Sequence, residues 1–451
     1  QRQMCIRDRI HPPFLFQPKS MKAPELLLPA GGLDKMHIAF DYGADAVYAG
    51  LPRYSLRARN NSFSDFQTLQ QGITQAHQRG KKFFVTANIL AHNAKLKTFL
   101  RDLEPIIALK PDAMIMADPG LILKVKEHWP EMPLHLSVQA NTTNYWGVQF
   151  WQGIGISRII LSRELSLEEI KEIRQTCPDI ELEVFVHGAL CIAYSGRCLL
   201  SGYFNHRDPN QGTCTNACRW NYSLKPAQET ANGDLLIKHQ PSLEMQKVYM
   251  LEESNRPGSP LPITEDEHGT YIMNSKDLRA IENVSRLVDI GVDSLKIEGR
   301  TKSIYYVART AQAYRQAIDD ALAHKPFDYH LITALDSLAN RGYTSGFLER
   351  HPDQELQNYL RGYSLSKQAI YVGQVVAVDN EGWATIDVKN KFSVGDQVEV
   401  ISPTGNKIIT INAICHKGVL IDCASGNGIK VTIPHMHGRE NSLLARLIFQ
   451  E

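Results

Sequence analysis

Eight cysteines occur in 451 residues, and four of them fall inside one stretch that begins at His187 and reads HGALCIAYSGRCLLSGYFNHRDPNQGTCTNACRW. They are Cys191, Cys198, Cys214 and Cys218, spaced C-x6-C, C-x15-C and C-x3-C. Thiols gather in this way around a disulfide framework, a zinc ion or an iron–sulfur cluster. Structural zinc favours two tight C-x2–4-C knuckles, and only the last pair has that form. Iron–sulfur clusters accept looser spacing around a larger inorganic core, so the pattern favours a cluster, with zinc next and disulfides or inert thiols last. The N-terminus lacks the basic start, apolar stretch and cleavage site of an export signal, and the chain reads as cytosolic. Disulfides are rare there, which again points the cysteines toward metal or redox chemistry. Cys177, Cys415 and Cys423 read as small buried apolar residues.

Protease chemistry finds less support. The chain has no HExxH helix and no GxSxG elbow. A dyad of His187 with Cys191 is the remaining pattern, but three neighbouring cysteines make metal ligation the better use of Cys191.

The elements that must position these groups follow a regular alternation. Short apolar runs begin at Glu25, Asp45, Lys82, Asp112, Leu134, Arg158, Glu181 and Ser294, eight in all, and most are rich in Val, Ile, Leu and Phe as strands buried on both faces are. Helical patterns lie between them, such as SLEEIKEIRQTC, where Ser166 and Glu169 have capping-box spacing. Strand–helix alternation with eight strands predicts an α/β fold, a (β/α)8 TIM-like barrel. A doubly wound open sheet would need a dinucleotide fingerprint, and Gly153-Ile-Gly155 precedes a strand and lacks the third glycine. The alternation breaks once, in a long insertion over about 189–280 that carries the cysteines and leaves the end of a strand. From about Gln368 the pattern changes to short strands separated by turn residues (DNEG, SVGD, SPTGN, SGNG), which predicts a small closed β-barrel of about six strands. The expected organisation is therefore an extension foreign to the fold or a disordered tail over 1–20 (with Cys5), a catalytic barrel over 21–330, a linker over 331–367 and a C-terminal β-barrel over 368–451.

Apolar residues make up 43% and charged residues 22%, as in ordinary globular proteins, and no apolar run approaches the roughly 18–20 residues of a membrane helix. Lys+Arg (49) and Asp+Glu (48) nearly cancel, so any nucleic-acid contact must come from a local patch.

In such a barrel, residues just after the strands face one pocket. Here they are Arg53, Arg57 and Arg59; Asn88, His92 and Asn93; Asp118; Gln139, Asn141 and Asn144; Ser162, Arg163 and Glu164; His187; and Lys296, Glu298 and Arg300, with Lys302 beyond. Converging amides and cations, foremost Arg57, Asn88, Gln139, Asn141, Arg163 and Arg300, suit an anionic, oxygen-rich ligand such as a dicarboxylate or nucleotide. Several of these side chains will instead cap helices or brace loops. Lys296 and Glu298 alternate with Leu295 and Ile297 and share one face, either as a buried ion pair or as an acid/base element. Arg53, Arg57, Arg59, Lys95 and Lys97, extended by His206, Arg207 and Arg219, would form a basic rim suited to RNA.

The stretch EVFVHGALCIAYSGRCLLSGYF resembles the signature of the collagenase-like peptidase family of unknown catalytic type. PELLLPAG, YGADAVYAGLPRYSLRARNN, HLSVQAN, RDPNQGTCTNACRW, EDEHGTYIMNSKDLRAI and SLKIEGRTKS resemble its tRNA-hydroxylating branch, from about Met21 into the C-terminal domain. The resemblance implies a TIM-like barrel with a C-terminal β-barrel and a peptidase name that is historical for this branch. It implies hydroxylation of C5 of the wobble uridine in tRNA anticodons, giving 5-hydroxyuridine, in a prephenate-dependent reaction. It also implies a [4Fe–4S] cluster on Cys191, Cys198, Cys214 and Cys218. The expected partner is the tRNA anticodon loop, with neither DNA nor membrane. Lys296, Glu298 and His187 are the expected catalytic residues. A collagenase-like peptidase and a zinc-stapled RNA-binding protein without catalysis are the alternatives.

Overall fold

The computed structural model describes residues 22–349 and 369–448, apart from 52, 57–61, 64, 192, 202–206, 217, 427, 435, 437 and most of 219–275, where only short strands are described. The extension over 1–20, part of the expected linker, Arg57, Arg59, His206 and Arg219 lie outside the described residues.

Eight parallel strands close into a barrel: β1 (Glu25–Pro29), β2 (Ala46–Gly50), β3 (Lys82–Ala87), β4 (Ala113–Met116), β5 (Leu134–Leu136), β6 (Arg158–Ile160), β7 (Glu181–Ala189) and β8 (Ser294–Ile297). Each pairs with the next, and β8 closes the ring by pairing with both β7 and β1. Their apolar residues are almost wholly buried because the barrel fills one face and helices cover the other. Those helices are α1 (Leu33–Asp41), α2 (Phe66–Gln78), α3 (Asn93–Ala108), α4 (Pro119–His128), α5 (Tyr145–Gly153), α6 (Leu167–Thr176), α7 (Val284–Ile290) and α8 (Ile304–Leu322). Their starts are set by side chains that accept orphan backbone N–H groups: Asp65 on α2, Asp118 on α4, Asn144 on α5 and Ser303 on α8. Ser166 and Glu169 form the reciprocal capping box on α6 that their spacing predicts.

One buried charge network crosses the seam where the barrel closes. Glu183 on β7 accepts from Lys296 Nζ at 2.7 Å and pairs with Arg158 of β6 at 3.1 Å. Arg158 also pairs with Glu25 of β1 at 2.6 Å and with Glu181 at 2.8 Å. Glu183, Lys296 and Arg158 are nearly inaccessible to solvent, so each charge depends on the others. Burial raises the Glu25 carboxyl, but Arg158 and Lys82 overcome it and hold it below its usual range. His135, in the same interior, is kept neutral by burial and by the nearby Arg158 and Lys296 cations.

The C-terminal region is an eight-stranded antiparallel sheet: β9 (Ala369–Val378), β10 (Ala384–Val388), β11 (Gln397–Ile401), β12 (Lys407–Thr410), β13 (Ile414–His416), β14 (Val419–Ile421), β15 (Lys430–Ile433) and β16 (Leu443–Leu447). The order is β12-β11-β16-β9-β10-β15-β13-β14, with β12 and β14 at the edges among the described residues. Sequence patterning finds six of these strands. It passes over β13, which is three residues long, and β16, whose LLARL run has no clear alternation. The sheet has its own core (Val372, Ile386, Phe392, Val398, Val431) and docks on the first domain. Tyr42 donates to Ile401 O at 2.7 Å, Tyr305 stacks on Tyr371, and Arg309 pairs with Glu399. No described helix is long and apolar enough to cross a membrane.

The seam network makes a stability prediction. Glu183→Gln removes the anion between Lys296 and Arg158 and should cost about 3–5 kcal/mol in urea unfolding. A Glu183→Gln, Lys296→Met pair should recover part of that loss, whereas independent surface charges would show no such coupling.

Candidate active site and cysteine cluster at the barrel mouth

Residues after the strands gather around Arg163 at the barrel mouth. Its guanidinium lies 3.7 Å from the centre of the Phe185 ring and 3.4 Å from Ser195 Oγ. Burial pulls Arg163 below the usual arginine range, while Glu298, Cys191, Glu164 and Tyr48 pull it back up. Arg163 therefore shares one electrostatic neighbourhood with Glu298 and with the first cysteine. Glu298 is half-buried and accepts from Tyr48 Oη at 3.2 Å; the same hydroxyl stands 3.1 Å from Ile297 O.

Lys296 shares a face with Glu298 but turns down into the barrel. Its ammonium is spent on Glu183 and sits 4.4 Å from the centre of the Tyr48 ring. The pair left open by the sequence is thus resolved into a buried ion pair below and a carboxylate at the mouth. Tyr48, Phe185 and Ser195 belong to this site but are absent from the sequence-derived set. The first two lie inside strands, where only alternation could have pointed to them, and Ser195 is hidden among the cysteines.

Other strand-end residues brace the mouth. Asn88 accepts from Leu56 N at 3.2 Å and donates to Ser137 Oγ at 3.1 Å, linking two loops. Arg300 is buried and donates to Leu56 O at 2.8 Å. It crosses so close to Gly50 that a Cβ there would lie 2.0 Å from the guanidinium. Asn141 takes a left-handed backbone (φ 54°) and lies 2.9 Å from Ser162 Oγ, which also bonds Glu164. Asp118 caps α4 and accepts from Ala91 N at 3.1 Å. Gln139 has a buried side-chain oxygen with no partner among the described residues. On the rim, Arg53 pairs with Asp102 at 3.0 Å, Lys95 donates to Arg53 O at 3.3 Å, and Lys97 and Arg207 are exposed.

The cysteine loop is clipped onto this mouth. Gly196 has φ +73°, and a Cβ on it would stand 2.5 Å from Gln139 O, so the contact requires glycine. Ser195 rests on Arg163, and the Gln211 amide donates to Leu90 O at the end of the third strand's segment. The two halves of the loop are tied together. Asn210 Nδ2 donates to Cys198 O at 3.1 Å, and Thr215 N donates to Ser201 Oγ at 3.0 Å.

None of the four thiols forms a disulfide among the described residues. Cys191 and Cys214 are exposed, and Cys198 and Cys218 are half-buried. The Asn216 amide donates to Cys214 Sγ at 3.4 Å, and the amides of Leu200 and Ser201 point at Cys198. Burial raises the Cys198 thiol, with further upward pushes from Cys191 and Cys214. Soft sulfur donors met by backbone N–H groups fit a thiolate-bound cluster, because those amides stabilise the anionic sulfur. Among the described residues, no three of His, Cys, Asp or Glu stand together as a single-ion site. Cys177 is buried as expected; Cys415 and Cys423 are only half-buried in the C-terminal sheet.

His187 lies apart from the pocket. The pairing of β7 with β8 slips by one residue: Phe185 faces Lys296, but His187 faces Ile297, leaving Val186 extra. Strict alternation would place His187 inward, and the bulge turns it out toward the helix layer. Its ring is boxed by Tyr306, Tyr314 and Tyr343 at centroid distances of 5.7, 5.5 and 5.4 Å. Tyr314 Oη stands 3.3 Å from Nδ1, while Nε2 has no partner among the described residues. No hydrogen bond joins His187 to Cys191 among those residues, so the dyad geometry is not assembled.

Comparison with known proteins places this site in a family. The model described as peptidase family U32 matches residues 31–358, and that of the peptidase family U32 C-terminal domain matches residues 367–446. The tRNA hydroxylation protein P of Escherichia coli (strain K12) is 58% identical over 427 residues, which cover 92% of this chain and 94% of that one. The 23S rRNA 5-hydroxycytidine C2501 synthase of the same organism is 32% identical over 295 residues, 65% of this chain and 39% of its own length. The solved structure of the U32 peptidase Mk0906 aligns with 64% of this chain and 97% of its own, at 15% identity and a TM-score of 0.37.

The caged histidine has a pH signature. Burial lowers His187 to about 3, with Asp277 opposing and Arg279 and Lys302 adding to the depression. The unfolded chain protonates near 6.5, so below that pH the unfolded state binds the extra proton and stability falls. From pH 6.5 to 5 this one group should cost about 2 kcal/mol. Unfolding free energies measured across that range should show a shallower acid slope for His187→Gln than for the natural protein.

Proposed function

The chain belongs to peptidase family U32, and we propose that it is a cytoplasmic tRNA-modifying enzyme that hydroxylates C5 of the wobble uridine, forming 5-hydroxyuridine in a prephenate-dependent reaction. A [4Fe–4S] cluster would be held by Cys191, Cys198, Cys214 and Cys218. The observation that carries this reading is the placement of the cysteine loop. It is clipped on Gln139 and Arg163, so the thiols and the polar pocket share one space. The family relatives named for tRNA hydroxylation and for 5-hydroxycytidine synthesis support the same chemistry.

Replacing C5–H by C5–OH is a two-electron oxidation that adds one oxygen atom, and no amino-acid side chain is an oxidant for it. A bound cluster would bind or activate an oxygen-atom donor, which delivers the oxygen and is itself reduced by two electrons. The chain's own residues would do the rest. Arg163, cationic at the mouth, would draw the carboxylates of prephenate. The uridine lies in an anticodon loop, so bringing it into the pocket costs unstacking but little unpairing. Glu298, fixed by the Tyr48 hydroxyl, would accept the C5 proton. Lys296 would stay on Glu183 and set the charge of the pocket floor.

Anaerobic purification followed by iron, sulfide and visible-absorption analysis tests the cofactor. About four irons and four sulfides per chain are expected, lost on changing any of the four cysteines to serine. Nucleoside mass spectrometry of tRNA incubated with enzyme and prephenate should then reveal 5-hydroxyuridine. The reading fails if Cys191→Ala and Cys198→Ala hydroxylate at full rate. One zinc with no sulfide and no modified uridine would make the loop a staple, and cleavage of gelatin after chelation and in air would point to a peptidase.

A further inference from the structure

Within the cysteine loop, Tyr194–Arg197 is a tight turn closed by the Arg197 amide donating to Tyr194 O at 3.0 Å. Its two middle residues face the barrel. Ser195 is buried against Arg163, and Gly196 is pressed on Gln139. The two outer residues, Tyr194 and Arg197, are exposed to solvent. Tyr194 is 52% exposed, whereas Tyr48 and Tyr54 are buried. Arg197 is exposed and makes no ion pair among the described residues. The turn is thus anchored at its centre and presents one aromatic face and one uncompensated cation at the entrance.

We propose that Tyr194 and Arg197 are the nucleotide-gripping tip of the mouth. An unpaired base next to the target would stack on Tyr194, and its phosphate would be held by Arg197. This rests on the RNA-hydroxylase reading and names the contact that reading lacks. Stacking suits the site because every base has a π face and the tyrosine is already ordered by the clipped turn. The guanidinium supplies a forked donor for phosphate oxygens. A peptide running through the mouth would instead look for free backbone donors, and the Arg197 amide is already used inside the turn. Exposed Lys97 and Arg207 continue the positive rim along which the rest of the loop's backbone would run.

The test measures binding of a fluorescent anticodon stem–loop, and of a fully paired RNA duplex of equal length, across a salt series. Tyr194→Ala should weaken stem–loop binding about tenfold, leave duplex binding unchanged and keep the salt slope. Tyr194→Phe should bind as the natural protein does, and Tyr194→Leu as the alanine variant does. Arg197→Ala should reduce the salt slope by about 0.7–1. Thermal melting matched to the natural protein shows that the loop remains folded, and if Tyr194→Ala melts early, Tyr194→Leu and Arg197→Ala carry the test. Variants that match the natural protein in affinity and salt slope, while it binds and modifies tRNA, overturn this inference alone. A natural protein that binds no stem–loop overturns the hydroxylase reading, and the nucleotide grip with it.

Discussion

Glu183 is the constraint on which the barrel depends. A parallel barrel must close its last strand on its first, and here the closing strands carry buried charges that cannot be left alone. Glu183 lies between Lys296 and Arg158, and Arg158 reaches on to Glu25, so one network spans β6, β7, β8 and β1. A slip of β8 by one residue would move Lys296 to the outer face and strand the Glu183 carboxylate in an apolar interior. The network therefore specifies register at the seam, a role distinct from net stabilisation, because the cost of desolvating four ions offsets much of their attraction.

The same seam decides what reaches the pocket. Lys296 is held by Glu183, and Glu298, two residues on, stands at the mouth and accepts from the Tyr48 hydroxyl. The bulge at Val186 lies just above the network. It turns His187 out among three tyrosines and lets Gly188 pass the Glu298 backbone, where a Cβ would stand 2.4 Å from the carbonyl oxygen. From there the chain rises directly into the cysteine loop. Tyr314 holds Val186 O and Tyr306 holds Glu298 O, so the outer helix layer fixes both the departure of the loop and the carboxylate beneath it.

Much of this was legible in the sequence, for a physical reason. Parallel strands buried on both faces carry dense apolar runs, so eight strands could be counted even across the insertion, and strand ends marked Gln139, Arg163 and Glu298 as neighbours of one mouth. What stayed hidden depends on contacts distant in sequence. Lys296 finds Glu183 across 113 residues, and nothing local marks that partner. Arg300 and Asn88 look like ligand groups at strand ends but are occupied by the Leu56 backbone. The outward turn of His187 follows from a one-residue slip that ordinary apolar alternation in EVFVHG does not announce. In the C-terminal sheet, β16 lies between β11 and β9, and its place is set by those partners more than by its own pattern.

This division explains how a family named for peptidases can hold a site with different chemistry. Cysteine proteolysis needs an imidazole within hydrogen-bond reach of the thiol and able to take its proton. His187 meets neither condition: it is turned from Cys191, and its surroundings oppose the cationic form. Restoring the dyad would require undoing the bulge, which would also disturb the exit of the cysteine loop and the backbone that carries Glu298. The thiols face no such obstacle. They form no disulfide among the described residues, Cys198 and Cys214 are met by backbone amides, and the loop is anchored through Gly196 and Ser195 to Gln139 and Arg163. Among the described residues, the bulge that turns His187 away from Cys191 also sets where the cysteine loop leaves the barrel, beside Arg163 and the backbone that carries Glu298.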